Sequence, residues 1–74
     1  MSKKIEVRAE ITGTVWKIVT KVGDKIEAGD NIMIVESMKM EIPVISEDSG
    51  VIVEILVDEK SAVSEGQIVA ILEE

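Results

Sequence analysis

The chain has 74 residues, 15 acids against 8 bases and a net charge of −7, with no cysteine and no histidine. A chain this short is one domain at most and buries only about 60% of its unfolded surface, without disulfides or common zinc sites to staple it. Its acidity repels phosphate backbones, no run approaches the roughly 18 apolar residues of a membrane span, and the N-terminus MSKKIEVRAE turns acidic too soon for a signal peptide; the expectation is a soluble cytoplasmic protein that binds neither nucleic acid nor membrane.

Ile and Val total 23 against 2 Leu, and Trp16 is the one aromatic residue. Branching at Cβ costs little in a strand and more in a helix, so the chain reads as all-β. In chain order, Ile5 to Ala9 alternates apolar and polar as a half-buried strand does. Gly13 to Val19 is a longer apolar run. Gly23-Asp24 and Gly29-Asp30 read as turns rather than calcium loops, because the EF-hand spacing is missing. Asn31 to Glu36 is a further strand. Pro43, in a strand-like run, points to an edge or an irregular hydrogen-bond position. Gly50 to Val57 and Gln67 to Leu72 follow. Such close turn signals favour a small sandwich or barrel.

The sequence also pairs with itself, ungapped, at an offset of 37 residues. Gly13 meets Gly50, Ile18 meets Ile55, Gly29 meets Gly66, Ile34 meets Ile71 and Glu36 meets Glu73. Ile5/Ile42, Val7/Val44, Val15/Ile52, Ile32/Val69 and Val35/Leu72 match in kind. Half of so small a domain cannot bury its own apolar face, but two copies can, as the two sheets of a flattened sandwich related by a pseudo-two-fold. The expectation is a single domain, 1–74, with half-repeats of about 2–37 and 39–74. Lys39 lies at the junction, and its equivalent is Ser2. This puts Lys39 at one extremity of the domain and the chain ends at the other.

Around that junction runs VESMKMEIPV, Val35 to Val44. Period-two geometry sets Ser37, Lys39 and Glu41 on one side of an extended segment and Met38 and Met40 on the other. On spacing alone, methionines fill gaps in small cores and a lysine at a hairpin tip is an ordinary solvated residue. Two features argue otherwise. The turn lacks Asn-Gly or Asp-Gly, and a protruding tip leaves the methionines little apolar cover. Trp16 reads as packing on the sandwich with its indole edge at the surface; contact with a partner is the second reading.

VESMKMEIPV resembles the attachment motif of biotinyl carrier domains, in which the modified lysine sits between two methionines. Lys21 to Asp30, Ser49 to Ile52 and Val63 to Gln67 are similar to the flanking family pattern, so the resemblance spans roughly Ile5 to Leu72. It is closest to small single-domain biotin/lipoyl attachment proteins. It implies a flattened barrel-sandwich hybrid of two four-stranded, mostly antiparallel sheets, with the lysine on an exposed hairpin. It implies that Lys39 accepts biotin covalently, and that Glu36, Ser37, Met38, Met40 and Glu41 form the surface read by biotin protein ligase and the carboxylase subunits. The implied role is to shuttle carboxylate from a biotin carboxylase to a carboxyltransferase. The chain would then be a carrier and not an enzyme, which suits the lack of any visible nucleophile-base pair. A lipoyl carrier, whose lysine is typically flanked by Asp and Ala, and an unmodified β-sandwich interaction module are the alternatives. The chain departs from the family pattern at Ala9 to Gly13, which lacks Ala-Pro-Met, at Ser37 in place of Ala, and at Glu59-Lys60-Ser61 in place of Gly-Asp. It also lacks an inserted thumb.

Overall fold

The β-branched surplus builds strands throughout the computed structural model, which describes residues 3–74. They are β1 (Lys4–Arg8), β2 (Gly13–Ile18), β3 (Lys25–Ile26), β4 (Asn31–Ser37), β5 (Met40–Ile45), β6 (Gly50–Ile55), β7 (Ala62–Val63) and β8 (Ile68–Glu73). Among the described residues, no helix is long and apolar enough to cross a membrane. Two four-stranded antiparallel sheets form, ordered β1-β8-β6-β3 and β5-β4-β2-β7. Pro43 lies on β5, an edge strand, where its missing N–H leaves no central ladder broken.

The two sheets repeat one another residue by residue at the 37-residue offset. Ile5 opposite Leu72 matches Ile42 opposite Val35, and Ile52 opposite Leu72 matches Val15 opposite Val35. Lys25 opposite Val51 matches Ala62 opposite Thr14. Even the irregularities repeat. Trp16 and Val53 are the extra residues in β2 and β6, and Ile32 and Val69 those in β4 and β8. The fold is therefore pseudo-two-fold. Met1 and Ser2 lie outside the described residues, and with them the expected equivalence of Ser2 to Lys39.

The core is the symmetric consequence of this register. Val15, Ile32 and Val35 from one half and Ile52, Val69 and Leu72 from the other are each fully buried. Burying such a side chain stabilises by about 1.5–3 kcal/mol relative to leaving it in water, so each half contributes equivalent side chains to one shared core.

Connectivity decides what protrudes. Among the described residues the chain changes sheet at every connection except one, β4 to β5, which stays within the second sheet as a hairpin. Its symmetry counterpart is the meeting of β8 with β1, where the Glu74 N–H donates to the Lys3 carbonyl at 2.9 Å. Gly13, at the base of the hairpin, pairs with Val63. The Glu65 N–H then donates to Thr12 Oγ1, and the Gly66 N–H to the Ala9 carbonyl at the close of β1. These bonds tie the close of β1 to the segment that leads into β2, while the start of β1 lies beside Glu73 and Glu74; the molecule is 40 Å long and 18 by 17 Å across.

Candidate functional site

In the β4–β5 hairpin Glu36 opposes Glu41 and Ser37 opposes Met40, which leaves Met38 and Lys39 as the two corner residues. Both are left-handed, with φ of 51° and 65°. Two positive φ values in a two-residue loop are the pattern of a type I′ turn, whose twist matches that of the flanking strands. Gly or Asn normally takes these positions, and a residue with Cβ costs about 1 kcal/mol or more in each. The expected alternation of Ser37, Lys39 and Glu41 against Met38 and Met40 fails here. It assumed an extended backbone, and two left-handed residues reverse the chain instead. Ser37 and Met40 face each other as a cross-strand pair, and Met38 and Lys39 form the corner.

The corner is solvent-exposed. Met38 is 93% and Met40 63% accessible, while Met33, deeper in β4, is fully buried. Glu36, Lys39 and Glu41 are exposed and Ser37 is half-buried. Among the described residues Lys39 makes no ion pair; the pair present joins Arg8 to Glu6 at 2.8 Å. Glu36 and Glu41 face each other one pair back from Ser37 and Met40, and among the described residues neither forms an ion pair with Lys39.

Gly13 had no assigned role in the sequence beyond its place in the repeat. A Cβ there would collide with the Glu36 carbonyl oxygen and lie 2.9 Å from Val35 Cγ1. The absence of a side chain at the start of β2 is thus what lets β2 close against the base of the hairpin. The glycine opening an otherwise apolar run was the only signal for it.

Two hollows indent the surface elsewhere. One lies between Ile5–Arg8 and Ile45–Asp48, the other between Lys25–Glu27 and Ser49–Val51. Neither includes a residue of the Glu36–Glu41 segment. The hairpin is a projection that presents an amine rather than a cleft that receives a ligand.

A family model described as biotin-requiring enzyme matches residues 4–72. A biotin/lipoyl attachment protein of Bacillus subtilis is 42% identical over 62 residues, 84% of this chain and 85% of that protein. A biotinylated protein of Mycobacterium leprae is 37% identical over 67 residues, 90% of this chain and 94% of that one. Among solved structures, the urea carboxylase of Kluyveromyces lactis superimposes with a TM-score of 0.89 at 38% identity, over 95% of this chain. The match spans 6% of that much longer enzyme.

Proposed function

The chain belongs to the biotin/lipoyl attachment family, and on that premise we propose that Lys39 is its biotin acceptor and that the 74 residues act as one carrier domain of two half-repeats. The observation that carries the reading is the Met38-Lys39-Met40 corner, held out in solvent on the one hairpin that stays within a sheet. The geometry fits the group. The amine is in no ion pair among the described residues, and Met38, Lys39 and Met40 are all exposed.

A free lysine is mostly ammonium at neutral pH, and only its neutral form attacks an acyl group. Lys39 is not buried, so the ligase has to take its proton. The Nζ then attacks the carbonyl carbon of the adenylated biotin carboxyl, the acyl–phosphate bond breaks and AMP leaves with the bonding pair, and the amide that forms leaves the corner without its positive charge. When bound, biotin supplies a ring nitrogen that accepts and gives up a carboxylate. Met38 and Met40 offer adaptable apolar contact to several partners, with Glu36, Ser37 and Glu41 at the rim of that surface. The partners are biotin protein ligase, a biotin carboxylase and a carboxyltransferase, in the cytoplasm. The chain itself catalyses nothing. Tethering replaces free diffusion with a high effective concentration at each partner.

The test is a mass spectrum of the chain made in cells competent for both biotinylation and lipoylation. A gain of one biotinyl group, abolished by Lys39→Arg, is the expected result. A lipoyl increment would transfer the reading to the other cofactor of the family, and no increment would leave an unmodified interaction module.

A further inference from the structure

The two halves serve as an internal control, because what folding requires of one sheet it requires of its mate. Across the outer face of the second sheet the register sets Pro43, Ile34 and the Trp16-Lys17 bulge in one row. The matching row on the first sheet is Glu6, Ile71 and Val53-Glu54. The centres agree: Ile34 and Ile71 are both half-buried. The flanks do not. Two carboxylates, Glu6 and Glu54, become Pro43 and Lys17, and Val53 becomes Trp16. All are exposed, Trp16 to 49%. In a chain of net charge −7, the row behind Lys39 carries no carboxylate and holds the only aromatic residue. Packing does not require this, since the same fold is built over opposite chemistry on the first sheet.

We propose that this face, centred on Trp16, Ile34 and Pro43, is where the biotin ligase seats the domain while Lys39 enters its active site. This rests on the reading of Lys39 as the biotin acceptor. The corner alone is too small to hold an enzyme, since a specific interface takes about 800 Å² from each partner. The row is continuous with it, as Ile34 lies three residues before Ser37, about 10 Å along β4. Tryptophan is among the residues that most often anchor interfaces. Charge points to the same occupant. Activating biotin as an adenylate puts a phosphate in the ligase site, so its mouth has to be cationic. Glu36 and Glu41 complement such a mouth, and beyond them the carboxylate-free row offers apolar contact through Trp16, Ile34 and Pro43. A second copy of this chain, itself at −7, is a poor occupant. The ligase also meets Lys39 before any arm has been added. An unmodified lysine reaches only the length of its own stem, so this partner has to hold the domain closely.

The test copies first-sheet residues onto the second sheet. Trp16→Val, Lys17→Glu and Pro43→Glu each introduce the side chain that the same fold already carries at the equivalent position. With purified ligase, Trp16→Val should raise the KM for the carrier about tenfold with kcat within about twofold, and the triple variant should raise it further. Val53→Ala and Glu54→Gln on the first sheet should change neither. Thermal melts establish that the variants are folded. If one is not, acetylation footprinting of the wild-type chain decides: the ligase should protect Lys17 and leave Lys4 and Lys25 open. An unchanged KM in the folded triple variant, an equal loss in the first-sheet variants, or an unprotected Lys17 overturns the proposal. So does loss of carboxyl transfer with loading intact, which would give the face to a different enzyme. Failure of the wild-type chain to gain biotin is a separate result. It removes the acceptor reading itself, and no variant is needed to see it.

Discussion

Glu36 faces Glu41 directly across β4 and β5, while the residues at the same places in the other half, Glu73 and Lys4, are a pair of opposite charge across β8 and β1. Like charges directly opposite on neighbouring strands destabilise a sheet, and unlike charges stabilise it. The fold thus tolerates the better arrangement at one end and carries the worse one beside Lys39. Glu41→Lys should therefore raise stability by about 0.3 kcal/mol, the low end of the range because both side chains are exposed. The gain should shrink as salt screens it. Loading of Lys39 should fall at least several-fold in kcat/KM. Urea midpoints at two ionic strengths and a biotinylation time course read both effects. A variant that is more stable and loads normally would remove Glu41 from the recognised surface.

The corner sets up the same conflict in the backbone. Met38 and Lys39 hold φ values that suit Asn and Gly. Replacing them together, Met38→Asn with Lys39→Gly, should stabilise the chain by about 1–2 kcal/mol by relieving two left-handed residues. It should also abolish any biotin gain. A lower urea midpoint would mean that the corner is not strained.

Gly13 and Gly50 separate packing from function. A Cβ on Gly13 collides with the Glu36 carbonyl, and one on Gly50 lies 2.8 Å from the Glu73 carbonyl oxygen. Both Ala variants should lose about 1–3 kcal/mol, because backbone must shift to admit the methyl group. Only Gly13→Ala displaces the strand leading to Lys39, so only it should slow loading at temperatures where both are folded. Equal loading rates would show that the hairpin keeps its place without that close approach.

Much of this architecture could be read from the sequence because the apolar positions recur in one ungapped register at an offset of 37. The spans Gly13 to Val19 and Asn31 to Glu36 fell within a residue of β2 and β4. The Ile/Val excess decided the class, and Pro43 marked an edge strand. Three features stayed hidden. The bulges at Trp16 and Val53 add a residue where alternation alone counts none. The corner at Met38-Lys39 lacks the glycine or asparagine by which such turns are recognised. And Gly13 matters through its contact with Glu36, 23 positions along the chain, a separation at which no local pattern operates. The attachment lysine was legible as a motif, but the shape of the turn beneath it was not.

Lys60 departs from its symmetry mate in a way that has no bearing on the hairpin. Its φ is 74°, and Gly23, at the same place in the other half, has a φ of 98°. The backbone bonds are the same: Lys60 N–H donates to the Val15 carbonyl and Gly23 N–H to the Ile52 carbonyl, each at 2.7 Å. One turn is thus built twice, once with the residue that fits and once without. Two effects compete in Lys60→Gly. Removing the Cβ from a left-handed position recovers about 1–2 kcal/mol, and the freer unfolded chain takes back roughly 0.5–1. The net should be stabilising by about 0.5–1 kcal/mol, read as a higher urea midpoint at unchanged m-value. Biotin loading should not change, because Lys60 lies on the β6–β7 connection, outside both the corner and the row through Trp16. A destabilised variant would mean that the lysine side chain holds this turn through contacts that outweigh its backbone cost.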